Sequence, residues 1–193
     1  MTFLLRRGHI PEAPDTVDTP RLILRQVLES DVDHFARMYA DEEVTRFLGE
    51  GRTLTRDQTW RAVAGMLGHW VLRGYGQYAL EERTSGRVVG VAGLLNPEGW
   101  PGIEVAYTVS REHWGMGFAT ETATAVVQMA YEALSPTHLI SMVRPDNLAS
   151  IRVAEKVGGV RETTIDFMGG PAHIYAYSPP LPIDQTLKLP QPR

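Results

Sequence analysis

Residues 103–121 read IEVAYTVSREHWGMGFATE, and this stretch joins a strand pattern to a glycine loop and a helix. Ile103–Val109 alternates apolar residues with Glu104, Ala106 and Thr108, which predicts a strand with two different faces. The segment 114–120, WGMGFAT, follows, and apolar residues at helical spacing begin directly after it. The chain therefore passes from strand to helix through a loop rich in small residues.

The composition of this loop points to an anionic ligand. Two glycines and an alanine in 114–120 let the backbone come close to a ligand, and the first N–H groups of the following helix are unpaired. Together they predict a site for phosphate or pyrophosphate. The alternative is a plain strand-to-helix turn, because so short a motif is unspecific. The loop lacks the Gly-Lys-Ser/Thr ending of a Walker A motif, and Thr120 stands where a dinucleotide fingerprint needs glycine or alanine.

The rest of the pattern predicts an α+β (mixed α/β) protein. Before the loop we expect a strand at 21–27, a helix with Ser30 as N-cap, a second helix capped by Thr55, and hairpin strands at 78–82 and 88–95. After the loop helix come a strand at 138–143, a short helix at 147–157 and a strand pair at 160–168 and 172–177. This order gives a mixed sheet of about seven strands flanked by about four helices. The residues expected to form the apolar face of the second helix are Trp60, Val63, Leu67 and Trp70.

Proline marks both ends of the chain. Residues 1–19 are predicted to be an irregular N-terminal extension, and residues 179–193 a Pro-rich tail, because proline without apolar periodicity favours extended chain. The domain is therefore expected at 20–178.

Composition excludes several classes of protein. The chain has 193 residues, enough for one domain. Its net charge of −4 argues against nucleic acid as the main ligand, because that binding needs a basic face, and leaves room for a local basic pocket for one small anion. Cysteine is absent, which excludes a disulfide, a thiolate metal site and a cysteine nucleophile. The longest apolar runs are too short to span a membrane, so we expect a cytoplasmic protein without a membrane partner. Histidines and carboxylates do not cluster at metal-ligand spacing, so we expect no metal.

Five short pieces of the sequence occur together in a recognisable order. They are TPRLILR at 19–25, VVG at 88–90, EVAY at 104–107, WGMGFATE at 114–121 and NLAS at 147–150. In this order they resemble the GCN5-related N-acetyltransferase (GNAT) family, and more narrowly its RimJ/RimL-like branch. Two positions depart from the commoner pattern: Trp114 stands in place of glutamine or arginine, and Ala106 in place of glycine.

The resemblance implies a splayed sheet that binds acetyl-CoA. The strands ending at Val109 and Val143 would part, and the backbone of Tyr107 and Val109 would hydrogen-bond the pantetheine arm between them. Asn147 would bond that arm, cap its own helix, or do both. The pyrophosphate would be held by the loop residues Trp114, Gly115, Met116, Gly117, Phe118, Ala119 and Thr120.

Two side chains are candidates for the chemistry. An amine at neutral pH is mostly an ammonium ion, so a base must remove a proton before it attacks a thioester. Glu104 is the first candidate, because it points away from the apolar row beside the small residues Ala106 and Thr108; otherwise it is a solvated or ion-paired glutamate. The resemblance also places a carboxylate here. The resemblance also suggests Ser150 as the residue near the leaving sulfur; the alternative is a serine that bonds its own backbone.

Other residues are weaker candidates. Arg144, Arg152 and Lys156 either meet the ribose phosphate of the cofactor or are ordinary solvated cations. Glu42, Glu43 and Glu50 either line a pocket for a cationic amine or form a polar surface. His113 beside the loop is more often an inert residue than a catalytic one.

The function expected from these features is transfer of acetyl from acetyl-CoA to a primary amine by direct attack in a ternary complex. The acceptor is a protein N-terminus or a small amine, and the sequence does not choose between them. A non-catalytic CoA-binding or sensor module and a nucleotide-binding oxidoreductase are the competing hypotheses. A homodimer is compatible with the sequence.

Overall fold

A single mixed sheet runs through residues 12–179, which are the part of the chain that this computed structural model describes. Its strands lie in the order β1-β2-β3-β4-β5-β6-β8-β7. They are β1 (Thr16–Asp18), β2 (Leu22–Gln26), β3 (Gln77–Glu82), β4 (Val88–Leu95), β5 (Ile103–Val109), β6 (Leu139–Val143), β7 (Val160–Phe167) and β8 (Gly170–Tyr177). The helices are α1 (Val32–Tyr39), α2 (Glu42–Thr45), α3 (Arg56–Arg73), α4 (Phe118–Ala133) and α5 (Leu148–Lys156).

The sheet opens in the middle, between β5 and β6. Every other neighbouring pair of strands is antiparallel, whereas β5 and β6 run parallel and pair only at Ile103↔Leu139 and Glu104↔Ile140. A parallel pair needs a long crossover, and α4 supplies it. Beyond Glu104 and Ile140 the two strands separate, so the expected splayed sheet is confirmed.

Two helical layers cover the sheet. On one face, α4 packs against β4 and β5 around Phe118, Val126 and Leu94. On the other face, α1 and α3 enclose a second core that includes Phe35, Val63 and Val91. Side chains of β5 alternate between these layers, which confirms the predicted two-faced strand: Val105 and Val109 belong to the α4 core, and Glu104 points to the opposite face.

The bounds of α3 follow its capping residues, but its buried face was predicted wrongly. Thr55 and Gln58 form a capping box at its start, and Gly74 ends it with φ of 78°. Trp60 and Leu67, which were expected in the core, are 47% and 36% exposed. The buried residues are Thr59, Val63, Met66 and Trp70. Both sets have helical spacing, so only the packing against the sheet distinguishes them.

Three short elements differ from the sequence prediction. The lead-in is not irregular throughout, because Thr16–Asp18 forms an edge strand on β2. The N-cap of α1 is Asp31 rather than Ser30, since a 3₁₀ turn at Glu29–Asp31 precedes the helix. The single-turn helix α2 has no room for apolar periodicity and was missed. The expected extension at 1–11 and the tail at 180–193 lie outside the described residues.

Candidate active site

A cleft of about 410 Å³ lies where β5 and β6 separate. Its walls come from the outer half of β5, the loop 113–117, the start of α4, one side of α5 along its length, and residues 43–48. Most of the predicted cofactor-binding residues meet here. They are Tyr107, Val109, Trp114, Gly115, Gly117, Phe118, Ala119, Thr120 and Asn147. Ser150 lines the same cleft, whereas Glu104 and Met116 are not among its walls.

One edge of β5 presents free backbone groups to this cleft. In an antiparallel strand, alternate residues direct both N–H and C=O to the same side. Ser110 N–H bonds the Val89 carbonyl on β4, so Thr108 and Ala106 face β4, and Tyr107 and Val109 face the gap. The gap side has no strand partner here, because pairing with β6 ends at Glu104. An extended ligand can therefore add to β5 as a strand does.

The Val109 carbonyl already has a partner within the protein. The indole N–H of Trp114 donates to it at 2.7 Å, so the tryptophan ties the loop to the end of β5. This leaves the Val109 N–H and both backbone groups of Tyr107 for a ligand. The departure at Trp114 thus has a local structural role.

The loop ends in unpaired N–H groups at the start of α4. Gly115 and Gly117 have φ of 76° and 82°, in the left-handed region that favours glycine. Gly117 is the N-cap of α4 and provides no side chain to the first turn. The N–H groups of Phe118, Ala119 and Thr120 therefore lack intrahelical partners, and they lie at the positive end of a 16-residue helix, which favours an anion.

An ion pair from β2 holds this loop in place. Arg21 donates from Nε to Glu121 Oε2 at 2.6 Å and from Nη1 to the Met116 carbonyl at 2.7 Å. Its guanidinium also lies 4.6 Å from the centre of the Phe118 ring. The Thr19 hydroxyl and the Arg21 N–H donate to the other oxygen of Glu121. Sequence reasoning assigned no role to this brace, although its members belong to the motifs at 19–25 and 114–121.

Glu104 lies at the point where the sheet begins to open. It is 9% exposed, and the Trp100 indole N–H donates to its Oε2 at 2.7 Å. Burial raises the pKa of Glu104 to about 7, although the bonds from Trp100 and from the Met142 backbone favour the ionised form. It is buried and has no ion-pair partner among residues 12–179, so the alternative of a solvated or ion-paired glutamate does not fit the part of the chain that is described. A carboxyl group with this pKa exchanges protons near neutral pH.

The start of α5 brings Asn147 and Ser150 to the opposite wall. Asn147 caps the helix, with its Oδ1 accepting from the Ser150 N–H at 3.1 Å. The Ser150 carbonyl accepts from the Tyr107 hydroxyl at 3.0 Å. Within residues 12–179 the Ser150 hydroxyl has no hydrogen-bond partner, so the alternative of a serine that bonds its own backbone does not hold here.

The three candidate cations separate into two groups. Arg144 donates to the carbonyls of Phe167, Met168 and Gly170 and so clamps the β7–β8 turn. Arg152 and Lys156, one helical turn apart on α5, line the cleft instead. Positive charge for a ligand phosphate therefore comes from α5.

Of the remaining candidates, some line the cleft and others lie at the surface. His113 lines the cleft, and its buried Nδ1 has no hydrogen-bond partner among the described residues. Glu43 also lines the cleft, whereas Glu50 pairs with Arg52 at the surface. No three His, Asp or Glu side chains in residues 12–179 are grouped closely enough to hold a metal ion.

Comparison with known proteins assigns this fold to a family. Residues 21–160 match the family model described as "Acetyltransferase (GNAT) domain". The chain belongs to the GNAT acetyltransferase family. It is 27% identical to the uncharacterized N-acetyltransferase YoaA of Bacillus subtilis over 76% of this chain and 83% of that protein.

Solved structures agree with this family. An acetyltransferase from Agrobacterium tumefaciens is 26% identical and superimposes with a TM-score of 0.77, over 89% of this chain and 99% of the other. RimJ of Mycobacterium smegmatis, solved with a CoA-disulfide, shares the fold at 19% identity, with a TM-score of 0.71 over 92% and 90% of the two chains. The GNAT protein is thus an acyltransferase of a family that uses acetyl-CoA, with a RimJ/RimL-like fold. In residues 12–179, no helix is long and apolar enough to cross a membrane.

Proposed function

We propose that this GNAT protein transfers acetyl from acetyl-CoA to a primary amine by direct attack in a ternary complex, with Glu104 as the general base. The observation that carries the proposal is the buried Glu104 carboxyl, with its pKa near 7, at the opening of the sheet. A base works best when its pKa is close to the working pH, because it is then largely ionised and still accepts a proton readily.

The cleft supplies groups suited to each part of acetyl-CoA. The three free N–H groups at the start of α4 and the cations Arg152 and Lys156 suit phosphate groups. The free edge of β5 at Tyr107 suits the amide groups of pantetheine, and leads toward the point where the strands part. Asn147 serves in this arrangement by capping α5, which keeps Ser150 at the wall of the cleft.

Donor and acceptor approach from opposite faces of the sheet. Tyr107 contacts α5, on the α4 side, whereas Glu104 points to the α1 and α3 side. On that side Ala106 and Thr108 are small and partly exposed, which leaves room for an amine. The two substrates then meet through the opening between β5 and β6.

In the proposed reaction, different residues act on the amine, the carbonyl oxygen and the leaving thiolate. Glu104 takes a proton from the ammonium group, directly or through a water molecule, and the free amine attacks the thioester carbonyl carbon. A backbone N–H of β5 stabilises the negative charge that develops on the carbonyl oxygen. As the C–N bond forms and the C–S bond breaks, the Ser150 hydroxyl donates a hydrogen bond to the departing thiolate. The attacking nitrogen loses its second proton as the amide forms, and this proton passes to the thiolate, so the products are an amide and CoA with a free thiol. Glu104 then returns its proton to the solvent, and cysteine is not needed.

Glu104→Gln tests the base. Turnover is measured as thiol release, with acetyl-CoA and a panel of small amines and N-terminal peptides, and CoA affinity by calorimetry. The effect of the amine's own ionisation on the rate is the same for both proteins, so it cancels in the ratio of wild-type to variant kcat/KM. This ratio should rise about tenfold per pH unit up to pH 7 and level off above, because the wild-type base is protonated below its pKa. CoA affinity should not change.

Controls and the second residue use the same assay. Glu132→Gln, an exposed glutamate near the end of α4, should leave turnover unchanged. Ser150→Ala should slow turnover by roughly tenfold without altering the pH profile, consistent with the loss of one hydrogen bond. An unchanged rate in Glu104→Gln would disprove its role as the base. A protein that binds CoA and acetylates no amine in the panel would favour the non-catalytic CoA-binding module.

A further inference from the structure

Within residues 12–179, Trp100 is the only residue whose side chain donates a hydrogen bond to Glu104. It lies in the turn between β4 and β5, four residues before the glutamate, and its indole is half-buried. The Nε1–Oε2 distance of 2.7 Å is short, as expected for a donor facing a carboxylate. A fully exposed indole could donate to water instead, so it would not need this carboxylate as a partner.

We propose that Trp100 is the positioning residue for Glu104: its indole N–H holds the carboxylate in one orientation, aimed at the acceptor side of the opening between β5 and β6. This inference rests on the proposed role of Glu104 as base. The bond occupies only one of the lone pairs of the carboxylate, at Oε2, so the group can still receive the proton of the amine.

The indole is itself held from a second direction. Its ring meets Phe167 edge to face, with centroids 4.9 Å apart and planes at 84°. Phe167 ends β7, and its carbonyl is bonded by Arg144 at 2.9 Å. Arg144 follows β6 directly, so the clamp on the β7–β8 turn and the strand beside Glu104 belong to one connected unit. The indole therefore has little freedom to turn away from the carboxylate.

The N–H of Trp100 also acts on the proton affinity of the base. A donor stabilises the ionised carboxylate, while burial disfavours it. If the donor is removed, burial acts with less opposition, and the carboxyl should protonate at higher pH. The bond thus keeps a deeply buried base ionised enough to work near neutral pH.

Few other titratable groups face Glu104. The phenols of Tyr107 and Tyr177, on the other face of the sheet, are raised in pKa chiefly by burial and in part by the charge of Glu104. His138, at the start of β6, lies near Gly102 and pairs with Glu162 at 2.9 Å. The Met142 backbone supplies the other bond to the carboxylate and is unaffected by substitutions at Trp100.

Trp100→Phe removes the N–H and keeps an aromatic ring against Phe167. The Glu104 carboxyl is titrated by carbon NMR in protein labelled at glutamate, and kcat/KM is followed over the same pH range. We expect the carboxyl titration and the acid limb of the rate to move together by about one to two pH units toward alkaline pH. At a pH above the shifted value the rate should recover only in part, because the carboxylate is then ionised but no longer held in one orientation, and CoA affinity should be unchanged.

Trp60→Phe is the matched control. Its indole also donates to a carboxylate, Glu29 Oε1 at 3.3 Å, but at an exposed position away from the cleft. It should leave the Glu104 titration and the rate unchanged. Phe167→Leu gives an independent variant, because it loosens the indole while both bonding groups remain. It should shift the titration in the same direction by a smaller amount.

The outcomes separate the positioning role from the proposed function. An unshifted Glu104 titration in both Trp100→Phe and Phe167→Leu would overturn the positioning role. An acid limb that persists in Glu104→Gln would instead disprove Glu104 as the base, while the NMR titration would still measure the effect of Trp100. In the double variant with Glu104→Gln, Trp100→Phe should cause no further change in the pH profile.

Discussion

Gly117 determines how α4 begins. Its φ of 82° turns the chain so that the next N–H groups point into the cleft, and a Cβ at this position would stand 3.4 Å from Arg21 Nη2. Any other residue would adopt this conformation with strain, because a Cβ crowds the following carbonyl in the left-handed region. The loop sequence is therefore constrained by backbone conformation as well as by space for a ligand.

Gly117→Ala should weaken CoA binding more than it weakens folding. We expect the free energy of unfolding to fall by about 1 kcal/mol from the left-handed strain, and the Kd for CoA to rise about tenfold as the N–H groups rotate. Denaturant unfolding and calorimetry measure the two effects.

Gly86→Ala is the control, since Gly86 also has positive φ, 66°, in the distant β3–β4 turn. It should show the loss of stability with unchanged CoA affinity. Equal CoA affinity in both variants would contradict the role given to the Gly117 conformation.

At the scale of elements, the Arg21–Glu121 pair joins the residue just before β2 to the first turn of α4. Glu121 is in the first turn of α4, where a carboxylate also interacts favourably with the helix dipole. Its pKa is lowered by the bonds from Thr19 and Arg21, which outweigh the opposing effect of burial. The brace keeps the loop in its binding conformation before a ligand arrives, which reduces the ordering cost of binding.

Glu121→Ala should therefore lower CoA affinity by roughly two- to tenfold, because the loop must then be ordered during binding. Calorimetry with CoA measures the effect.

Asp33→Ala is the matched control, because Asp33 pairs with Arg56 and joins α1 to α3 in the same manner, with both side chains about two-thirds exposed. It should not alter CoA affinity. A similar loss in both variants would show that the effect is a general loss of stability.

At the scale of the whole molecule, the separation of β5 from β6 creates the site. The sheet is continuous up to Glu104↔Ile140 and then divides, so one edge of β5 remains unpaired inside the protein. An unpaired internal edge is unfavourable unless water or a ligand occupies it. On the proposed function, an extended arm bound along this edge would complete the sheet.

CoA should consequently slow hydrogen exchange at the Tyr107 and Val109 amides by about tenfold or more, because both face the gap. The Thr108 amide faces β4 and is already paired, so it serves as an internal control. Exchange is followed by NMR with and without CoA. If CoA slowed exchange equally at the Tyr107, Thr108 and Val109 amides, that result would contradict binding along β5.

Some features depend on neighbours in sequence, and these were predicted well. The bounds of β5, the start of α4 after its glycines and the Thr55 cap of α3 all follow from local conformational preference. The ordered motifs likewise indicated the GNAT family, which the family match confirms. The choice of Trp60 for the core was wrong because two faces of α3 have the same spacing, and only the sheet selects one.

By itself, the sequence determined the order of the longer elements, the glycine loop at the start of α4 and the two-faced strand, because each depends on residues a few positions apart. Only the tertiary structure decided which groups act together. The ion pair of Arg21 with Glu121 joins residues 100 positions apart. Arg144 donates hydrogen bonds to the β7–β8 turn and so is not placed to bind a ligand. The environment of Glu104 likewise required burial between strands and the indole of Trp100, and burial is a property of packing that no local pattern specifies.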